Sequence, residues 1–583
     1  MSADVSRHLS KDADAFVRWG GRVPIILGAT GHRNIDVEDA KLRTALKTQC
    51  ADLKDRYKHS PFVILSALAE GADRLIAEIA MEAPLSAELI AVLPMPQEDY
   101  ERDFATVESK DQFRNLLKRA TAVKTAAVPP GDAWKADGEP RNMQYARAGS
   151  IIVDHAQVFF SIWDGKPARG TGGTADQVAW FEAGESPNVY SLHNDAVSPL
   201  DPLEPGLSIR IDPVSGETTE LESPLPKQVE TGRKSNIRWI LARTNRYNCD
   251  VLRNEARIAA GDPLITEDVG EVVNLALTYK VYRASDSLSV HFRDKVRFTD
   301  SVIYTLALGA VTVFNFVSGK AEAPWIYLGI TFVMAMLAAR VWFRSIDNRF
   351  LEYRCLAEAM RTLFFWRNAG VQRSLWIKYL SRQLGVIHWV RHAVRSVEFC
   401  QDCRFPNVQA DDSFRTRGIQ IARKYWIGNQ ADWFARKETY HASRSKFWKR
   451  LARVAFAAAF ATAIALALMT IIPGQHGTLW NEYVEPVRYG DYWQALLGLL
   501  AGGGVAARGF LSRRAHLELT KQYAAQRQIF ETARWMLETI KHDPQPSWTA
   551  DKILEKLGEE ALQEQAEWLW LRHTRPFEMP AAG

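Results

Sequence analysis

The chain has 583 residues, which at about 150 residues per domain allows three or four domains. Its 73 lysines and arginines nearly balance its 68 aspartates and glutamates, so the net charge of +5 argues against nucleic acid as the partner. A hydrophobic content of 47% and a charged content of 24% exclude a wholly disordered chain. Five cysteines are too few for a disulfide framework, and 19 tryptophans suggest contact with membrane interfaces.

The N-terminal third has the pattern of an α/β domain. Residues 1–22 are charged throughout and lack the apolar segment of a secretory signal. From residue 23 to about 195, short apolar runs alternate with amphipathic stretches, which predicts a Rossmann-like parallel sheet with helices on both faces. The predicted strands are 23–29, 62–68, 88–94, 122–128, 157–163 and 188–193, and the predicted helices are 36–57, 71–82, 108–120, 142–154 and 174–184.

Three glycine-rich turns follow predicted strands, at the sheet edge where ligands of parallel sheets bind. Glycine lets the backbone approach a phosphate closely, and the free amides at a helix N-terminus attract anions. Together the turns predict a nucleotide or phosphate site with arginines as counter-charge. Its candidate residues are Gly28, Thr30, Gly31 and Arg33 after the first strand, Glu70, Gly71 and Arg74 after the second, and Asp164, Arg169, Gly172, Gly173 and Thr174 after the fifth.

Several of these side chains also have local explanations. Thr174 either caps its helix or donates its hydroxyl to the anion. Glu70 and Asp164 either bond ribose hydroxyls or act locally, Glu70 as a helix cap and Asp164 as a turn residue. No metal ligand is predicted among them.

The segment 196–298 is predicted to be a linker followed by basic cytoplasmic helices. Residues 196–228 are rich in proline and are interpreted as a loop, whereas residues 233–283 have a helical and basic pattern.

Four long apolar runs come later in the chain, in two pairs. A hydrocarbon core of about 30 Å needs about 20 helical residues. We therefore predict two transmembrane hairpins, at 299–344 and 449–512. Arg508 shortens the apolar part of the fourth run, so a buried soluble hairpin remains an alternative for the second pair. The four runs are 301–319, 324–343, 451–473 and 492–511.

Basic residues precede the first and third runs and follow the second and fourth. Because positive charge stays in the cytoplasm, both termini, a helical bundle at 345–448 and C-terminal helices at 513–583 are predicted to be cytoplasmic. We expect a multi-pass protein of the inner (cytoplasmic) membrane whose partners include the lipid bilayer.

Two further patterns have alternative interpretations. Gly498 and Gly502 lie on one helical face, which fits either a pore or oligomer contact or tight packing within one chain. Cys400 and Cys403 form a CxxC pair near His392, but zinc needs two further ligands at suitable spacing, so we interpret the pair as coincidental.

Residues 20–200 resemble the SLOG family of Rossmann-like nucleotide-sensing domains. The resemblance lies in LSALAEGADRLIAEIA (65–80), LIAVLPMPQEDYERDF (89–104) and IWDGKPARGTGGTADQVAWF (162–181). It implies a domain at 1–195 that binds a nucleotide-derived ligand rather than a fixed cofactor. Related phosphoribohydrolases have a catalytic glutamate in a PGGxGTxxE motif, where this chain has Gln177. An amide is no general base, so the resemblance favours a binder over an enzyme.

The two hairpins with flanking cytoplasmic helices resemble the SLATT class of membrane effectors. The resemblance implies a nucleotide-sensing effector that opens or assembles a transmembrane pore as a homo-oligomer, in bacterial antiphage or conflict signalling. Two alternatives remain open. One is a membrane-tethered nucleotide or N-glycoside hydrolase that uses Glu70, Asp73 or Asp164, and the other is a membrane scaffold whose Rossmann-like domain is a relic.

Overall fold

A computed structural model of the chain divides into two compact units. The first, here called the sheet unit, comprises Met1–Leu288, Glu352–Ala422 and Leu554–Ala566. The second, the helical unit, comprises Ser289–Leu351, Arg423–Ile553 and Glu567–Gly583. The residues that the structure describes are 18–167, 170–184, 206–223, 236–265, 276–317, 323–344, 346–376, 387–404, 412–471, 490–540 and 548–573.

The sheet unit is built on a seven-stranded sheet in the order β4-β3-β2-β1-β5-β6-β7. All neighbouring pairs are parallel except β6 and β7. The predicted parallel α/β sheet is therefore confirmed, with an added antiparallel edge. The strands are β1 Ile25–Gly31, β2 Phe62–Ser66, β3 Glu88–Leu93, β4 Ala122–Thr125, β5 Val158–Ile162, β6 Leu207–Ile211 and β7 Thr218–Glu222.

The last two strands lie in the segment interpreted as a loop, and that interpretation is wrong for them. Apolar residues alternate along β6, and the carboxylate of Asp212 accepts the amides of Val214 and Ser215 to form the tight turn into β7. The high proline content around this hairpin obscured the alternation. The predicted strand 188–193 lies outside the described residues.

Helices cover both faces of the sheet. Side chains three positions apart on a strand point to opposite faces, and β1 shows both contacts. A Cβ at Gly28 would meet Ile152 on one face, and a Cβ at Gly31 would meet Ala72 on the other. The helices along this part of the chain are α1 Ala40–Arg56, α2 Ala72–Met81, α3 Gln97–Tyr100, α4 Val107–Arg119, α5 Glu139–His155, α6 Thr174–Ala183, α7 Ile237–Arg253 and α8 Glu255–Ala259.

The rest of the described chain is helical. Ala515, with φ of +48°, separates two of the later helices. The helices are α9 Ala276–Val317, α10 Ala323–Arg344, α11 Ile346–Asn368, α12 His388–Arg404, α13 Asp412–Ile421, a π-helical turn Ala422–Gly428, α14 Asn429–Ile471, α15 Gly490–Arg514, α16 His516–Thr539 and α17 Ala550–His573.

Helices distant in sequence complete the core around the sheet. Asn248 of α7 accepts the amide of Val23 at 2.8 Å, and its own amide donates to the Val23 carbonyl at 2.8 Å. Arg395 of α12 donates to the carbonyl of Asp154 at 2.9 Å. The sheet is therefore stabilised by two helices that begin more than 200 residues later than β1 in the chain, and a fragment that ends near residue 230 would lack them.

Among the described residues, three helical stretches are long and apolar enough to cross a membrane, namely Ala276–Val313, Phe414–Leu468 and Ala495–Thr539, and Pro324–Ala339 is a shorter apolar helix. The connections 318–322 and 472–489 lie outside the described residues. Within the helical unit, a Cβ at Gly502 would lie 2.9 Å from Val311, and one at Gly504 would lie 3.1 Å from Phe456. Both glycines therefore allow close packing of α15 on α9 and α14 within one chain.

Candidate functional site

The carboxyl ends of β1 and β5 meet at the centre of the sheet. Successive strands run from β1 to β4 in one direction, and β5 then lies on the other side of β1. Ligands of open parallel sheets bind in the crevice outside such a switch point. Here Gly31 pairs with Ile162, and the His32 amide donates to the Ile162 carbonyl at 3.1 Å. We call the region beyond these two strand ends the switch-point crevice.

A charged group connects the two strand ends. Nε2 of His32 lies 2.8 Å from Oδ1 of Asp164, and Nζ of Lys166 donates to Oδ2 of Asp164 at 2.8 Å. The hydrogen bond from Lys166, followed by that from His32, holds the pKa of Asp164 well below its usual range. Asp164 also accepts the Lys166 amide, as a turn residue does. Asp164 is thus an ionised acceptor, and His32 is a functional candidate that the sequence motifs did not single out.

The glycines of the first two turns allow close backbone contact. Gly71 has a φ of +81°, and a Cβ there would lie 2.2 Å from the Arg33 carbonyl oxygen. A Cβ at Gly31 would lie 2.4 Å from that of Ala72. The Ala72 amide donates to the His32 carbonyl at 3.1 Å. Glycine at 31 and 71 therefore fixes how the β1 turn meets the start of α2.

Arg33 is the exposed arginine of these turns. Its guanidinium lies 5.3 Å from the ring centre of Tyr145, whose hydroxyl donates to Asp103. Burial and the bond to Asp103 raise the pKa of Tyr145 to about 12. The phenol therefore stays neutral, and it places Arg33 beside the crevice.

Arg74 and Glu70 have partners inside the domain. The buried Arg74 donates to the Leu68 carbonyl, to Ser109 and to Gln112 at 3.0–3.1 Å, and it lies over the Phe104 ring. Glu70 accepts the Ser109 hydroxyl and makes no cap on α2, whose N-cap is Gly71. Both side chains thus attach the β2 turn to α4.

In the loop before α6, one backbone amide donates a hydrogen bond to a carboxylate of the protein itself. Gly172, with φ of +82°, donates its amide to Asp176 at 2.9 Å, and the Gly173 amide donates to the Gly170 carbonyl at 3.2 Å. Gly173 is the N-cap, so Thr174 does not cap the helix. The amides of Thr174 and Ala175 make no hydrogen bond within the described residues. These two donors in the first turn of α6 remain available to an anion.

Two further candidates lie within β1, and one lies outside the described residues. A Cβ at Gly28 would contact Phe159, Ala156 and Ile152 at 2.7–2.9 Å, so this glycine packs α5 against the sheet. Thr30 is buried and pairs with Ser161. Arg169 is outside the described residues.

Gln177 contributes to the shape of the same loop. Its Nε2 donates to the Gly172 carbonyl at 3.0 Å, and its side chain packs where a Cβ at Gly149 would be, 2.7 Å away. A carboxylate at this position would lack the donor and would face a carbonyl oxygen. The amide therefore has a structural role that a glutamate could not fill in this arrangement.

Two buried groups lie near the crevice, and the sequence analysis missed one of them. Burial raises the pKa of Asp73 to about 7, against the opposing effects of the Arg33 charge and of two backbone amides. The hydroxyl of Tyr100 is buried and has no hydrogen-bond partner among the described residues. The sequence analysis considered Asp73 only as a hydrolase acid, and it missed Tyr100, which no local motif marks.

The CxxC pair lies in α12, and Cys403 is within electrostatic range of Lys124 in the edge strand β4. Cys400 and Cys403 are buried free thiols, and burial raises the pKa of Cys403 to about 12, so its thiolate is disfavoured. Among the described residues, no group of three or more His, Cys, Asp or Glu side chains is placed to bind a metal.

Comparisons with known proteins gave no match to a family model, a curated protein or a solved structure.

Proposed function

We propose that the protein is a nucleotide-sensing membrane effector, in which a nucleotide-derived ligand in the switch-point crevice controls the apolar helices. One observation gives the strongest support. Two amides at the start of α6, after the central strand β5, have no hydrogen-bond partner among the described residues, which also include three helices apolar enough to cross a membrane.

The chemistry of the crevice suits a phosphorylated ligand. A phosphate that accepts the Thr174 and Ala175 amides would also benefit from the dipole of α6. Arg33 and Lys166 are exposed cations on the flanking turns. Asp164 remains ionised and offers an acceptor to a ribose hydroxyl. These roles agree with a nucleotide whose phosphate lies at α6 and whose sugar lies nearer β1.

The output in this proposal is a change in the membrane. We envisage two hairpins, 299–344 and 449–512, with both termini in the cytoplasm and several chains around one path. The ligand can shift such an equilibrium only through the difference between its affinities for the two states. The resemblance to SLOG and SLATT proteins suggests antiphage or conflict signalling as the setting.

The hydrolase alternative has less support from the described side chains. Gln177 cannot act as a base, Glu70 accepts the Ser109 hydroxyl, and the low pKa of Asp164 makes it a poor general acid. Among the three acids considered as the general acid or base of a hydrolase, Asp73 has a pKa near neutrality. Its side chain is buried, however, and so is poorly placed to reach a substrate.

A thermal-shift screen of the full-length protein in detergent, against linear and cyclic nucleotides and ADP-ribose, tests the proposal. A ligand at about 100 times its Kd should add about 2.7 kcal/mol of stability. Arg33→Gln should lose most of this shift, measured from the melting temperature of the ligand-free variant, because Arg33 also contacts Tyr145 inside the domain.

Lys58→Gln is the matched control, since Lys58 is an exposed cation near the amino end of β2, at the opposite edge of the sheet. It should retain the full shift. An equal loss in both variants, or no shift with any nucleotide on a well-folded protein, would contradict nucleotide sensing at this crevice.

A further inference from the structure

Five basic side chains from three helices converge in the helical unit. They are Arg293 and Arg297 of α9, Lys437 and Arg444 of α14, and Arg514 of α15, here called the basic cluster. Arg514 donates to the Arg297 carbonyl at 2.8 Å and to the Ser301 hydroxyl at 3.1 Å, which joins α15 to α9. Lys437 lies within electrostatic range of Arg293 and Arg297, and the ring of His516 within range of Arg297, Arg444 and Arg514.

The ion pairs of the described residues compensate only part of the charge of the basic cluster. Arg293 pairs with Asp294, with Nε to Oδ1 at 3.0 Å. Arg297, Lys437 and Arg444 have no ion pair among the described residues, and the two α14 cations lie over the ring of Tyr440 instead. Like charges this close repel one another, so an anion that binds between them gains their combined attraction.

The position of the basic cluster indicates the kind of anion. The apolar run of α9 begins at residue 301, that of α14 begins at 451, and that of α15 ends near Arg508. Basic residues of all three helices therefore lie at the same end of their apolar segments. Exposed aromatic side chains accompany them, with Phe298 73% exposed and Phe447 52% exposed. Cations beside exposed apolar side chains are typical of a surface that meets lipid headgroups.

We propose that the basic cluster binds the phosphate of an anionic phospholipid headgroup in the leaflet at this end of α9, α14 and α15. A lipid satisfies both features of the surface, because its phosphate meets the cations while its acyl chains cover Phe298 and Phe447. A free phosphate would satisfy only the cations. The site rests on the membrane insertion included in the proposed function, but not on nucleotide binding.

The test uses the full chain in nanodiscs of phosphatidylcholine alone, or of phosphatidylcholine with phosphatidylglycerol. The wild-type protein should unfold at a higher temperature in the discs that contain phosphatidylglycerol. The double variant Arg297→Gln/Lys437→Gln should lose this difference, as its apparent affinity for the anionic lipid falls about 30-fold. Its melting temperature in phosphatidylcholine discs should be close to that of the wild type. Neither side chain has an ion pair among the described residues, and the loss of the Lys437 contacts with Trp433 and Tyr440 is offset by relief of the repulsion between the two cations.

The matched control is Arg534→Gln/Lys58→Gln, which removes two exposed cations, one of them about 30 Å further along the helices than Arg514. It should keep the full difference. Equal behaviour of the two double variants would overturn the site. Stabilisation in phosphatidylcholine discs by inorganic phosphate, to the same extent as by phosphatidylglycerol, would assign the basic cluster to a soluble anion instead.

Native mass spectrometry of the wild-type protein released from mixed discs gives a second measurement that needs no variant. Retained phosphatidylglycerol is expected, and equal retention of phosphatidylcholine would contradict the proposal. Failure to enter either disc would overturn this site together with the membrane part of the proposed function. A nucleotide-induced thermal shift in detergent would still test the crevice separately.

Discussion

The two compact units differ in whether their apolar side chains are buried or exposed. In the sheet unit, β1, β2 and β5 are almost completely buried between layers of helices. In the helical unit, large apolar side chains face outward along α10 and α14, with Phe332 62% and Phe460 70% exposed. Only 11–22% of the most apolar windows of the three candidate spans is buried.

This difference shows which solvent each unit needs. The sheet unit satisfies its hydrophobic residues internally, as a water-soluble domain does. The helical unit leaves a continuous apolar surface that water would not tolerate, and a bilayer is the solvent that would cover it. The same kind of residue therefore stabilises the sheet unit through burial and is expected to anchor the helical unit in lipid.

The largest expected effect comes from a charge on that outer surface. Phe460→Arg should cost about 2.5–3.5 kcal/mol of membrane insertion, because an arginine near the middle of a span must leave water. Val214→Arg is the control, as Val214 is 79% exposed in the β6–β7 turn of the sheet unit. After an alkaline wash, membranes should retain the Val214 variant and lose much of the Phe460 variant. Equal retention would contradict a lipid-facing α14.

Replacing a glycine by alanine should change stability differently in the two units. Gly31→Ala should destabilise the sheet unit by about 1–3 kcal/mol, since its Cβ would meet Ala72 at 2.4 Å and the Ile162 carbonyl at 2.8 Å. Gly503→Ala, in the middle of α15, meets nothing within 4 Å and should be neutral or stabilising. Urea unfolding of the two variants measures this contrast. A Gly31 variant as stable as the wild type would show that the β1 turn is less tightly packed than described.

A smaller effect should follow from restoring the hydrolase glutamate. Gln177→Glu removes the donor to the Gly172 carbonyl and should cost about 1–3 kcal/mol without creating nucleotide hydrolysis. Gln112→Glu is the control, because Gln112 only accepts from Arg74 and a carboxylate accepts equally well. Unfolding and nucleotide-turnover assays on both variants test this. Turnover by the Gln177 variant would revive the enzyme hypothesis.

A further expected effect is a pH dependence of the unfolding free energy of the sheet unit. Burial raises the pKa of Asp73 to about 7, so the folded state holds a proton that the unfolded chain releases near pH 4. The stability that this proton contributes is fully present below about pH 4 and is lost as the pH rises through about 7. Asp73→Asn should flatten this part of the profile of unfolding free energy against pH. An unchanged slope would show that Asp73 is not the group responsible.

Much of the sheet was predictable because each of its central strands has a local signal. The runs at 23–29, 62–68, 88–94 and 157–163 are largely apolar, and each matches an observed strand to within about two residues. The more polar run at 122–128 also matches a strand, the edge strand β4. The hairpin of β6 and β7 was missed because a solvated edge strand such as β7 has few apolar residues. The four apolar runs indicated membrane association, but pairing them into hairpins requires the connections at 318–322 and 472–489.

The candidate site was predictable in position but only partly in detail. Strand ends and glycines located the switch-point crevice, since these depend on local sequence. The partners of its side chains depend on tertiary packing. The contacts of Arg74 with Ser109 and of His32 with Asp164 join residues 35 and 132 positions apart, which no spacing rule connects.

Hydrogen exchange of the full-length protein in nanodiscs, with and without the nucleotide that gives the largest thermal shift, tests the central claim most directly. The account predicts slower exchange at the Thr174 and Ala175 amides, together with altered exchange in the helical unit at the membrane-proximal parts of α14 and α16. Protection confined to the sheet unit would leave binding without an effector output. Protection at other sites but not at the Thr174 and Ala175 amides would contradict ligand binding in the switch-point crevice.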